Sequence, residues 1–135
     1  MKIFHYLILY FALFSFEKSG SLEIKILAIV NNLTISNYDL FVEIKTQELL
    51  ENRTVNKSQS KQILLQMIDE LVREIEIKKN NISADKNDLN SKLNEILTQL
   101  PDVSKMDVQI KNNIISKFEN SIKWNNLILL KFKNK

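Results

Sequence analysis

Between Ile63 and Ile75 the apolar residues Ile63, Leu64, Met67, Ile68, Leu71, Val72 and Ile75 recur at three- and four-residue spacing, which lays them along one stripe of an α-helix. A stripe this long must be covered, so the chain has to fold as packed helices around it. It ends at Lys78, Lys79, Asn80 and Asn81, where cations complement the helix dipole and asparagine substitutes for a capping glycine. The neighbouring segments read the same way. Ser36 and Asp39 form an S-x-x-D start, Leu40, Phe41, Ile44 and Glu48 mark one face, and this helix is expected to end near Glu51. The polar stretch Asn52 to Ser58 reads as a loop. Ser83 reads as the N-cap of a further helix with Leu89, Leu93, Ile96, Leu97 and Leu100 on its apolar face, stopped by Pro101. Ser104 with Asp107 opens the last helix, expected to run to about Phe132. Towards its end Leu127, Ile128 and Leu130 cover more than one face, more than a small bundle needs.

Ahead of the helices, Glu23 to Ile35 is rich in β-branched residues, interrupted by Asn31 and Asn32. Asparagine tolerates positive φ, so this pair suits a type I′ turn and predicts a hairpin. The expected fold is mainly α: a short N-terminal β-hairpin followed by about four amphipathic helices.

Composition removes many chemistries. The chain has no Cys, one His (His5), one Gly (Gly20) and one Pro (Pro101). Disulfides, thiolate nucleophiles and Cys-ligated metals are excluded, as are the glycine-rich phosphate cradles of P-loop and dinucleotide folds. A net charge of +3 from 19 basic and 16 acidic side chains lacks the concentrated basic stripe of a nucleic-acid binder. No cofactor and no nucleic-acid partner is expected.

The N-terminus carries its own signal. Lys2 precedes the apolar run Ile3 to Phe16, followed by Glu17, Lys18 and the small residues Ser19, Gly20 and Ser21. The run is shorter than the ~20 residues that span a bilayer and fits a secretory signal peptide. The organisation read from this is a signal peptide over 1–21, cut after Ser21, and one domain over 22–135, exported to the periplasm. The alternative is an uncleaved segment that anchors the chain in the membrane. His5 lies in this segment, so the mature chain has no histidine for general-base or metal chemistry.

The ordered set Ile26-Leu27-Ala28-Ile29-Val30-Asn31-Asn32, Thr34-Ile35-Ser36-Asn37-Tyr38-Asp39-Leu40, Ile63-Leu64-Leu65-Gln66-Met67-Ile68-Asp69-Glu70-Leu71, Ile82-Ser83-Ala84-Asp85 and Ile110 to Phe132 resembles the N-terminal chaperone domain of SurA-type periplasmic peptidyl-prolyl isomerases. The resemblance spans the mature chain, which stops at Lys135 where such proteins continue into a parvulin domain. The isomerase residues therefore have no counterparts, and no enzymatic activity is expected. The resemblance implies a holdase-like chaperone that binds unfolded outer-membrane proteins or peptides through an apolar groove between helices.

Phe41, Met67, Met106, Phe118 and Trp124 are the candidate groove residues, because thioethers and aromatic faces accept varied partners. Taken singly, each reads first as core. The carboxylates at Asp69 and Glu70 or Glu74 and Glu76 are near neighbours on a helix and do not face each other, so they read as solvated rather than as an acid–base pair. The Asn-x-Ser/Thr sequons at Asn32, Asn52, Asn56 and Asn81 are expected by chance in so asparagine-rich a chain, and the tail from Lys131 to Lys135 reads as a frayed helix end. The strand from Ile24 to Val30 is expected to keep an exposed edge, open to a homodimer partner or a peptide. Two other readings stand beside the chaperone: a membrane-anchored helical assembly subunit, and a truncated remnant of a peptidyl-prolyl isomerase.

Overall fold

The computed structural model describes residues 23–100 and 105–133. The expected signal peptide over 1–21, and the proline and serine at 101 and 104, lie outside the described residues. The elements run β1 (Ile26–Val30), β2 (Leu33–Ser36), α1 (Asn37–Glu51), α2 (Lys57–Lys79), α3 (Lys86–Gln99) and α4 (Val108–Phe132). The fold is the expected one, a short antiparallel hairpin followed by four helices.

Asn31 and Asn32 turn the hairpin with φ of 45° and 69°, the positive values a type I′ turn demands. Val30 pairs with Leu33 and Ala28 with Ile35, and the register slips between Ile26 and Ala28. That bulge breaks the alternation and leaves both Ile26 and Leu27 exposed. Asn37 then ties the start of β1 to α1. Its Oδ1 accepts the Lys25 N–H at 2.8 Å and its Nδ2 donates to the Glu23 carbonyl at 3.0 Å, so a side chain takes the place of a further ladder residue.

Helix α1 opens with a complete capping box: Ser36 Oγ accepts the Asp39 N–H at 3.2 Å, and Asp39 Oδ2 accepts the Ser36 N–H at 2.8 Å. We expect Ser36→Ala to lower stability by about 1 kcal/mol and Ser36→Gly by only a few tenths, measured by urea unfolding. Equal losses would show that the hydroxyl cap is not what matters there. Asn52, with φ of 48°, closes the helix in the left-handed region that glycine usually occupies. The Glu48 carboxylate accepts the Val55 N–H at 2.9 Å and pairs with Lys45 at 2.6 Å, which holds the turn into α2 and keeps its pKa below the usual carboxylate value.

Three helix starts depart from the sequence reading. Helix α2 begins inside the expected loop, because Asn56 caps it in a reciprocal pair with Gln59. Helix α3 is capped by Asp85 rather than Ser83: the carboxylate accepts the Asn87 and Asp88 N–H groups, while the Ser83 carbonyl receives Asn126 Nδ2 at 3.2 Å. Helix α4 is capped by Asp107, whose Oδ1 accepts the Gln109 N–H at 2.7 Å. Downstream of α3, Leu100 is extended (φ −87°, ψ 137°), the conformation a following proline imposes.

Helix α4 is the hub, packing against α1, α2 and α3. The buried apolar core is Ile35, Ile63, Ile77, Ile114, Ile122 and Leu127. Helix α3 packs chiefly on α4 and buries no residue fully. In α1 the buried positions are Glu43 and Thr46, so the face turned inward differs from the expected one: Phe41 points to solvent.

Candidate functional site: a cleft between the hairpin, α2 and α4

Helices α2 and α4 flank a cleft of about 530 Å³, which Thr34 and Ile35 of β2 and Leu50 of α1 also line. That volume falls in the range of small-ligand sites. Its α2 wall interleaves Met67, Leu71 and the buried Ile77 with the charged Glu70, Arg73 and Glu74, and Phe118 and Trp124 reach it from α4. Three of the five expected groove residues, Met67, Phe118 and Trp124, therefore meet in one cleft. Met106 does not join them. It lines a shallower cavity of about 480 Å³ between the end of α1 and the start of α4, with Leu49 and Ile110. Phe41 lines neither cavity. It is 53% exposed, stacked against Tyr38 at 6.5 Å between ring centroids, with Lys45 Nζ 5.9 Å from its ring.

The rest of the α4 wall is polar. Ser116, Asn120, Ser121 and Asn125 follow one another along it, beside Asn113 and Lys117. The last two belong to a network that the sequence reading missed. Glu43 is 3% exposed, and its carboxylate accepts Lys117 Nζ at 2.7 Å, Asn113 Nδ2 at 2.8 Å and Gln47 Nε2 at 2.9 Å. Asn113 Nδ2 also donates to the Thr46 hydroxyl at 2.9 Å, and Thr46 donates to the Val42 carbonyl. Lys117 extends outward to Glu70 at 2.9 Å. Burial pulls the Lys117 pKa down, but hydrogen bonds and charge from Glu43 and Glu70 outweigh it and hold the value above the ordinary 10.5. No buried side-chain polar atom among the described residues lacks a partner.

Glu70, read as solvated, thus meets Lys117 at the cleft wall while Asp69 stays exposed. Glu74 pairs with Lys78 at 2.7 Å and Glu76 with Lys131 at 3.3 Å, so neither of the neighbouring carboxylate sets forms an acid–base pair. Arg73 sits at the same cleft with its guanidinium carbon 5.6 Å from the centre of the Trp124 ring. One pattern in the sequence marks this wall: Asn113, Lys117, Asn120 and Trp124 repeat at three- and four-residue spacing along one stripe of the helix.

Apolar surface remains open in two places. Ile26 and Ile29 of β1, with Ile24 just ahead of it, are each more than 60% exposed, and at the end of α4 Leu129, Leu130 and Phe132 are turned outward. Among the described residues no helix is long and apolar enough to cross a membrane, and no cluster of three or more His, Cys, Asp or Glu side chains could hold a metal ion. No family model, no curated protein and no solved structure matches this chain.

Proposed function

We propose that this chain is a chaperone-like binding module that holds unfolded polypeptide in the α2–α4 cleft without catalysing a reaction. The observation that carries the reading is the mixed lining of the cleft: the apolar side chains of Met67, Leu71, Phe118 and Trp124 together with a row of serine and asparagine side chains on α4. An extended peptide needs both, because its side chains gain from leaving water while its backbone N–H and C=O groups need partners. Met67, Phe118 and Trp124 supply adaptable contact area. The resemblance to the N-terminal domain of SurA-type proteins, together with the apolar run from Ile3 to Phe16, supports export to the periplasm and unfolded outer-membrane proteins as clients.

The test is light scattering from a denatured outer-membrane protein diluted into buffer with and without the full chain. Suppression at near-stoichiometric ratios is expected, weakened severalfold by Leu71→Asp on the cleft wall. A folded sample that leaves the scattering unchanged would overturn the reading.

The exposed row Ile24, Ile26 and Ile29 favours a second reading, in which β1 pairs with a second copy or the chain serves as an anchored assembly subunit. Sedimentation across a wide concentration range separates the two. A dimer that Ile26→Lys dissociates supports strand pairing, and a monomer throughout removes the homodimer.

A further inference from the structure

We infer that the cleft selects the free carboxylate end of an apolar segment, with Arg73 as the group that receives the carboxylate; this rests on the peptide-holding reading above. Five charged side chains line the cleft: Asp39, Glu70, Arg73, Glu74 and Lys117. Four have polar partners within the fold. Asp39 is occupied by the Ser36 cap, Glu74 by Lys78, and Glu70 and Lys117 by each other, with Lys117 also held by Glu43. Arg73, which is exposed, makes no ion pair among the described residues, and its guanidinium carbon lies 5.6 Å from the centre of the Trp124 ring. A guanidinium beside an indole still presents a planar fork of N–H donors that matches the two oxygens of a carboxylate.

The remaining charges sharpen this choice. Glu70 and Glu74 lie within a turn of Arg73 on α2, but Lys117 and Lys78 engage them, so among the charged groups of the cleft Arg73 is the cation without an acidic partner among the described residues. In the same cleft, Ser116, Asn120, Ser121 and Asn125 make no side-chain hydrogen bond to any described residue, and offer donors and acceptors to a backbone running along α4. Leu71 and Met67 face the same space and take the apolar side chains. A cleft of about 530 Å³ has the size of a site for a compact ligand, which suits the last few residues of a chain rather than a long segment passing through.

Trp124 is the only tryptophan in the chain, so its fluorescence reports on this cleft alone. The experiment titrates the full chain with three short apolar peptides of the same sequence: one with a free C-terminal carboxylate, one amidated, and one amidated with its last residue changed to Glu. Anisotropy of a labelled peptide serves as the second readout. The free acid is expected to bind about tenfold more tightly than the amide, with a preference that shrinks in raised salt. Arg73→Gln should bring the ratio of acid to amide affinity to about one, and Arg73→Lys should restore part of it, because the charge returns without the fork.

Equal affinity for acid and amide, or a preference that survives Arg73→Gln, overturns the inference while leaving the cleft as a peptide site. Equal binding of the free acid and the Glu-ended amide overturns the assignment to a chain end. Binding of none of the three overturns both this inference and the reading it rests on.

Discussion

Replacing Lys117 with methionine is expected to destabilise the fold by about 3 kcal/mol, because the change strands the buried carboxylate of Glu43 without its cation. In a domain whose total stability is about 5–15 kcal/mol, that loss should lower the thermal midpoint by more than roughly 10 °C. The contribution comes from the inner arm of the bridge. Glu43 has a side chain only 4% exposed, whereas Glu70 is 47% exposed and its contact is screened by water. The double variant Glu43→Leu/Lys117→Met removes the charge together with its counterion and should recover most of the loss. Chemical unfolding of the four members of the cycle measures this, and a single-variant loss under about 1 kcal/mol would sink the account. The pH dependence has a defined sign. A lysine whose folded pKa is raised contributes stability that is whole below its unfolded value near 10.5, and that contribution is lost as pH rises through the higher folded value. Across neutral pH it should not vary.

Ile114→Ala is expected to cost a further large amount, about 3–4 kcal/mol, because Ile114 is fully buried on the helix that joins the other three. Ile114→Val should cost only about 1 kcal/mol, since one methylene is lost and the cavity is small. Leu129→Ala, on the same helix but 64% exposed, should stay within about 0.5 kcal/mol. Urea midpoints for the three variants give the comparison, and similar losses at Ile114 and Leu129 would contradict the placement of the core.

Local physics was legible in the sequence and long-range chemistry was not. The asparagine pair of the hairpin, the Ser36–Asp39 box and the end of α2 at Asn80 each depend on residues within a few positions, and each formed where expected. The start of α3 offers two eligible caps, because Ser83 and Asp85 both carry oxygen acceptors, and it is the Asp85 carboxylate that takes the free amides of Asn87 and Asp88. The inward turn of Glu43 was hidden for a stronger reason. A charged residue on an amphipathic helix is ordinarily solvated, and only Lys117 and Asn113, distant in sequence, make its burial tolerable. The cleft was legible through its aromatics and Met67, while Arg73 carried no distinguishing sequence pattern.

The hub position of α4 also bears on how the chain emerges during synthesis. Glu43 and Lys117 are 74 residues apart, and the helix that joins α1, α2 and α3 follows all of them. At about 5–20 residues per second, the apolar faces of the earlier helices wait for several seconds before their common partner exists. Until α4 is present, the chain displays uncovered apolar surface of the same kind as the clients proposed for it.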